Sequence, residues 1–285
     1  MLPNSVTSIG ADAFSDCTSL ASVMLPNNVT NIGSYVFLFC YSLKSVTIPG
    51  SLNNVGYSGF AYCTNLTNVT MLHGVSSVGD YAFNSCSSLN SVTIPDTVTN
   101  IGSFAFAFCT SVTHIVIPPS VTAIGAQAFQ NCVGLTSITI PSAVTYIGTY
   151  AFVSCSNLLG VYFQGNAPMP TNDPSVFLGN TNAIAYYLPR TVGWGATFDG
   201  IPTKLWNPQA QTGDGFFGVQ NNQFGFNIAG SSNLVIVVEA STNLANWLSV
   251  STNTLNIYVG TNGTSYFSDP DWTNHPTRFY RIRSP

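Results

Sequence analysis

The stretch Val98–Pro118, VTNIGSFAFAFCTSVTHIVIP, decides how this chain is read, because a step of 23 residues in either direction from Cys109 lands on another cysteine. All seven cysteines keep that step: Cys17, Cys40, Cys63, Cys86, Cys109, Cys132 and Cys155. Gly10, Gly33, Gly56, Gly79, Gly102, Gly125 and Gly148 keep it too, as do Phe14, Phe37, Phe60, Phe83, Phe106, Phe129 and Phe152. The unit reads V-T-x-I-G-x-x-A-F-x-x-C-x-x-L-x-x-V-x-I-P-x-x. Its recurrence without an insertion identifies a stacked array, in which each unit buries against its neighbours a face that it cannot bury alone.

Each column has a physical reading. In Leu89-x-x-Val92-x-Ile94-Pro95 the alternation of Val92 and Ile94 marks a short strand with one buried face. Pro95 ends it for want of a ladder donor. This predicts one strand per repeat, stacked into a parallel sheet at about 4.8 Å. In Ile101-Gly102-x-x-Ala105-Phe106-x-x-Cys109 the glycine suits a tight turn, and Phe106 and Cys109 share one face of a short helical or 3-10 turn.

This pattern resembles the BspA-like, or treponemal, subclass of bacterial leucine-rich repeats over residues 1 to about 165. Departures are few: Val112 replaces the first leucine, Leu72 the proline and Gly59 the alanine. The expected fold is mainly β with short helical or 3-10 turns. It is a leucine-rich repeat solenoid of seven 23-residue repeats, followed by a small C-terminal β-sandwich-like domain. The resemblance implies a secreted or cell-surface binding or adhesion protein that is not an enzyme.

Composition narrows the partners. Charged residues make up 6% of the 285-residue chain, so solubility falls to Ser, Thr and Asn. Up to Pro189 the only base is Lys44, set against Asp12, Asp16, Asp80, Asp96 and Asp173. Nucleic acid is not expected as a partner, because phosphate neutralisation needs clustered Lys and Arg. No apolar run is long enough for a membrane span, and no signal peptide opens this chain.

A cysteine at a fixed place in every coil points inward, where a thiol acts as a small polarizable apolar group. Parallel side-chain directions and an odd total argue against a disulfide ladder, and no C-x-x-C or Cys/His cluster supports a metal. No cofactor is implied. Histidines His73, His114 and His275 lie apart from any nucleophile and acid, so no triad is expected.

The candidate binding face is the outward side of the strands. It comprises Ser45 and Thr47, Asn68 and Thr70, Ser91 and Thr93, His114 and Val116, Ser137 and Thr139, then Tyr162 beside Gly160. Such a hydroxyl ladder suits a glycan or an extended peptide, or it is simply a soluble β surface in which threonine is favoured. A second stripe sets Tyr35, Tyr81, Phe104 and Tyr150 in one column and Phe39, Tyr62 and Phe108 in another. These rings could stack on sugars or pack over the coil edge. The expected function is recognition of a protein or polysaccharide through the repeat surface; the alternative is a structural spacer or stalk with no ligand.

The 23-residue step stops at Gly165. We expect domains at 1–165 for the solenoid, 166–207 for a capping repeat and 208–285 for a β-sandwich-like module. In the cap, Ala185-Tyr186-Tyr187-Leu188-Pro189 stands in for V-x-I-P, and Trp194 and Trp206 close the core. At the other end Met1-Leu2-Pro3 aligns inside a repeat, so the array is expected to continue before Met1 or to meet another chain there. In the last module Phe224, Phe226 and Ile228 alternate, and Leu234–Val238, Ile257–Val259, Tyr266–Phe267 and Phe279–Ile282 read as strands. The strings VEASTNLANWLSV and YFSDPDWTNHPTRFYRI resemble a C-terminal β module of secreted bacterial proteins, which brings no activity with it. Asp269-Pro270-Asp271 reads as a turn, not a calcium loop; Gly213-Asp214-Gly215 as a linker; and Arg278, Arg281 and Arg283 as a solvated edge. The N-x-T triplets at Asn28, Asn65, Asn68 and Asn262 are put down to composition.

Overall fold

The computed structural model describes residues 2–169, 173–213, 215, 217–220, 223–230, 235–254, 263–275 and 277–283. The strand expected at Ile257–Val259, and Met1, Asp214, Leu234 and Asn262, lie outside them. The chain forms two compact units, Met1–Tyr187 with Thr191–Thr203, and Leu188–Arg190 with Lys204–Pro285. No helix among the described residues is long and apolar enough to cross a membrane.

The first unit is a solenoid of about eight coils with one continuous core. Ser45–Ile48, Asn68–Met71 and Ser91–Thr93 pair in parallel, each residue beside the one 23 positions on. Along Ser45–Ile48 burial alternates, with Val46 and Ile48 inside. A second block joins Ser137–Ile140, Gly160–Phe163 and Ile184–Tyr187. Between the blocks, residues 112–118 run in the strand position without entering a ladder. Most coils also carry a strand beyond the expected one: two-residue strands such as Asn100–Ile101 and Ala123–Ile124 pair at the V-T-x-I segment. There Thr99, Thr122 and Thr145 each donate a hydroxyl to the carbonyl of the equivalent residue one coil back.

The core is a set of superposed columns. From Phe14 through Phe37, Phe60, Phe83, Phe106, Phe129 and Phe152 to Phe177, consecutive rings lie 5.0 to 5.6 Å apart and within 13° of parallel. Each offset-stacked pair adds about 1 kcal/mol beyond the burial of its area.

The conserved step of the glycine column has a cause other than the expected turn. At Gly125 a Cβ would stand 2.5 Å from the Ser103 nitrogen and 2.6 Å from the Gly102 carbonyl carbon, so neighbouring backbones touch there. Only Gly56 of that column has a left-handed φ, +86°.

The left-handed conformation falls instead on side-chain-bearing residues, two per coil: Tyr35 and Phe39, Ser58 and Tyr62, Tyr81 and Ser85, Phe104 and Phe108. In each of these the N–H points out of its own coil to a carbonyl of the next, as Tyr81 to Ser103 and Ser85 to Ala107 at 2.8 Å. The inter-coil hydrogen bond offsets a conformational cost of about 1–2 kcal/mol per residue. Between them, i to i−3 bonds such as Cys86 to Phe83 make the tight turn that the phenylalanine–cysteine spacing predicted.

An eighth coil closes the array, displaced two residues from the 23-residue step. Phe177 takes the phenylalanine place and Asn180 the cysteine place, its amide donating to the Phe152 carbonyl at 2.7 Å. Beyond it Thr197–Phe198 and Ile201–Leu205 form a hairpin around Asp199-Gly200. Trp194 packs 4.8 Å from Phe163 and 5.1 Å from Phe198, as expected of a closing residue. Trp206 falls in the second unit.

Among the described residues, the second unit holds two antiparallel sheets. Gln223–Gly230 pairs with Gln209–Gln211, Gly218–Gln220 and Gly263–Asp269. Val235–Ser241 pairs with Leu248–Thr254 and Phe279–Arg283. Phe226, Ile228, Ile236, Val238 and Phe267 are buried.

Candidate functional site

The cysteine column is built inward, and from Cys63 to Cys155 burial keeps it protonated, while the Cys63 thiol holds that of Cys40 below its ordinary value. Each thiol donates to the phenylalanine carbonyl 26 residues earlier, from Cys40 to Phe14 through Cys155 to Phe129, at 3.1 to 3.2 Å. Burial pushes the thiols of Cys86 and Cys155 up to about 12, and those of Cys109 and Cys132 well above their ordinary value. Cys63 is pushed up by the Cys40 thiol beside it and by burial. A protonated thiol is neither nucleophile nor metal ligand. All seven cysteines are free, with Cys17 alone half-buried.

The expected strand face is only partly open. Ser45, Thr47, Ser91, Thr93, His114 and Val116 are exposed, while Asn68, Thr70, Ser137 and Thr139 are half-covered. Tyr162 leaves this set. It is 4% exposed, folded back over Gly160 and stacked on Tyr186 at 5.0 Å. A Cβ on Gly160 would meet its ring at 2.8 Å, so the glycine in front of it is what lets the ring lie down. Thus the hydroxyl face runs over the earlier coils and ends in an aromatic lid.

The second stripe is the richer surface. Tyr35, Tyr57, Tyr81 and Phe104 form a run of rings with centroid steps of 5.4, 5.4 and 4.5 Å, and Phe39 lies 5.0 Å from Tyr62. Tyr57 was not visible as a member because it precedes the column by one position, next to Ser58. Its ring fills the gap that the serine leaves. Tyr35, Tyr57, Tyr62, Phe108 and Tyr150 remain between 37% and 43% exposed. Left-handed backbone sets Tyr35, Tyr62, Phe108 and Tyr150 at the coil edge, and ring contacts hold Tyr35, Tyr57 and Tyr62 in place. Tyr81 and Phe104 are parallel to within 8°, whereas Tyr35 and Tyr57 stand 80° apart, so the surface is faceted.

Other candidate groups are structural. His73 Nε2 lies 3.8 Å from Asp96 Oδ1, with both side chains widely exposed. Asp269 is no calcium turn: it accepts from Arg278 Nε at 3.1 Å, the Tyr280 hydroxyl at 2.8 Å and the Asp271 N–H at 2.9 Å. Arg281 bonds Glu239 Oε2 at 2.6 Å and covers Trp247 at 4.3 Å. Arg278 departs from the solvated edge expected of it, its side chain being covered and paired with Asp269, whereas Arg281, on the edge strand Phe279–Arg283, stays about half exposed while it pairs with Glu239. Among the described residues no group of three or more His, Cys, Asp or Glu is placed to hold a metal ion.

A sequence model of the BspA type leucine rich repeat region matches in six copies, over residues 1–95 and 76–192. No curated relative matches the chain. Among solved structures, a leucine-rich repeat protein from Eubacterium ventriosum shares 32% identity over 46% of this chain, with a TM-score of 0.44. This chain spans 36% of that protein's length. The Treponema pallidum leucine-rich repeat protein shares 24% identity over 64% of this chain and 78% of its own, with a TM-score of 0.44. A leucine rich cell surface protein from Faecalibacterium prausnitzii shares 25% identity over 60% of this chain and 64% of its own, with a TM-score of 0.41. With the repeat model matching more than half of its length, the chain belongs to the BspA-type leucine-rich repeat family.

Proposed function

We propose that this protein is a non-enzymatic binding scaffold, secreted or displayed at the cell surface, that takes a protein or polysaccharide on its repeat surface. The observation that carries this reading is the faceted aromatic flank of Tyr35, Tyr57, Phe39, Tyr62 and Phe108, left accessible on coils whose core is otherwise complete. Tyrosine and phenylalanine on rigid supports supply contact area at small entropic cost, and they are the residue types that dominate binding hot spots. The hydroxyl rows of the strand face offer donors and acceptors without charge, which suits an uncharged ligand. The extracellular setting follows the resemblance to surface proteins of this type and the replacement of charge by Ser, Thr and Asn.

The test is capture of neutral polysaccharides and extracellular-matrix proteins by the immobilised chain. Tyr57→Ser with Tyr62→Ser and Phe108→Ser is expected to weaken capture at least about tenfold while the circular dichroism spectrum stays unchanged. If His114→Glu on the strand face abolishes capture and the flank variant does not, the site lies on the strands. Absence of capture throughout the panel would leave the spacer role in possession.

A further inference from the structure

The turn of the closing hairpin carries a carboxyl group in a place where a charge is poorly served. Asp199 is 3% exposed, with φ +46°, and Gly200 follows at φ +90°. Positive φ at both central residues of a two-residue loop is the geometry of a type I′ turn, for which Asp-Gly and Asn-Gly are the favoured pairs. Asp199 Oδ1 accepts the Asp173 N–H at 2.9 Å, and its Oδ2 is buried with no hydrogen-bond partner among the described residues. Gly200 seats the tip on the same segment, since a Cβ there would be 3.2 Å from the Pro174 carbonyl oxygen. The residues on either side, Phe198 and Ile201, are buried, and Phe198 packs against Phe163 and Trp194. Whatever moves Asp199 moves the plug over the last apolar layer.

Among the described residues, the charged group acting on Asp199 is Asp173. That carboxylate is held ionised: Ser175 donates to Oδ1 through its N–H at 3.0 Å and its hydroxyl at 2.5 Å, and these bonds, with help from Thr149, keep it below the ordinary carboxylate range. Two carboxyl groups so placed divide their roles, one staying charged and the other taking the proton. Asp199 is the one that takes it.

We infer that the contact of Asp199 with the Asp173 segment is a proton-operated clasp. Uptake of one proton at the hairpin tip seats the hairpin on the final coil, and release of that proton loosens it. Ionisation leaves a buried anion with an unserved oxygen beside a second anion, and hydrating it requires lifting the tip. In agreement, burial, aided by the Asp173 charge and opposed by the Asp173 N–H, pushes Asp199 up to about 6. The sign follows: a carboxyl raised in the folded state stabilises most at low pH, and that contribution is lost as pH rises from the ordinary 3.8 towards about 6. The cap is tight in mild acid and loose at neutrality, the reverse of the usual acid sensitivity of carboxylates.

The experiment is amide hydrogen exchange on the full chain from about pH 4 to about 7, corrected for intrinsic exchange, read at residues 198–203. Each pH unit between the two titration points is worth a factor of ten in the opening equilibrium. Opening at neutral pH is therefore expected to exceed that at pH 4 by about tenfold or more in the natural chain. Asp199→Asn keeps the favoured turn pair and an acceptor for the Asp173 N–H, and is expected to show no such dependence. Asp173→Asn removes the neighbouring charge and is expected to lessen it. An unchanged pH dependence in Asp199→Asn, or opening that increases in acid, would overturn the clasp. Should Asp199→Asn not fold, the carboxyl carbon of Asp199 followed by NMR in the natural chain decides: a midpoint near 6 supports the clasp, and one at or below 3.8 overturns it.

Discussion

At the scale of single residues, backbone conformation and side-chain identity are in conflict, and the conflict is informative. Ser85 sits at φ +59° and donates its N–H to Ala107 of the next coil at 2.8 Å. A β-branched residue tolerates that conformation worst and glycine best. Ser85→Val is expected to destabilise by about 2 kcal/mol and Ser85→Gly to stay within about 1 kcal/mol of the natural chain, as urea unfolding would measure. Nothing in the regular repeat announced these positions, because Asp, Tyr, Phe, Ser, Gln and Asn share them and glycine takes the place only in the displaced eighth coil, at Gly179. The cysteines were more legible: a thiol in every coil, odd in number and parallel in direction, favours the inward packed role over a disulfide ladder or a metal site, and six of the seven are buried. Asn180 was hidden by the two-residue displacement of its coil, although it performs the same task towards Phe152.

At the scale of elements, the strand alternation of Val46 and Ile48 placed the core side of the sheet correctly from sequence. The fate of the outward side was less readable. Tyr162 looked exposed by parity, yet a ring beside a glycine collapses onto it, and parity says nothing about what lies over a face. The aromatic flank was read as columns, and Tyr57 escaped because packing fills space by reach, whatever the register. In the second unit the pairing of Arg278 and Tyr280 with Asp269 ties the turn after Gly263–Asp269 to the segment leading into Phe279–Arg283. Asp269→Ala would leave Arg278 buried without its partner. It is expected to destabilise this unit by about 3 kcal/mol, seen as an earlier second-unit transition in calorimetry.

At the scale of the whole solenoid, the recurring contacts that leave a coil join it to the one beside it. Ring to ring, thiol to carbonyl and hydroxyl to carbonyl, the reach is one step. Six of the seven thiols are buried in this way and Cys17 is half-buried. A thiol reagent is therefore expected to modify one equivalent promptly in the native protein and the remainder only on unfolding, as mass spectrometry of the labelled chain would count. Prompt labelling of several thiols would mean that the interior opens. The repeat period made this interior readable in advance; the closing hairpin was not, because Asp199 draws its character from burial that no local pattern encodes.

The lateral hydrogen bonds of the coils, such as Phe83 to Ala105 and Phe106 to Ala128, run from each coil to the next along the stacking direction. A tensile load applied along that direction meets them one rank at a time, in series and never in concert. Each rank parts under a modest force and surrenders the slack of a full coil, so such an array lengthens by small, regular increments and absorbs a pull that a sheet loaded in shear would transmit.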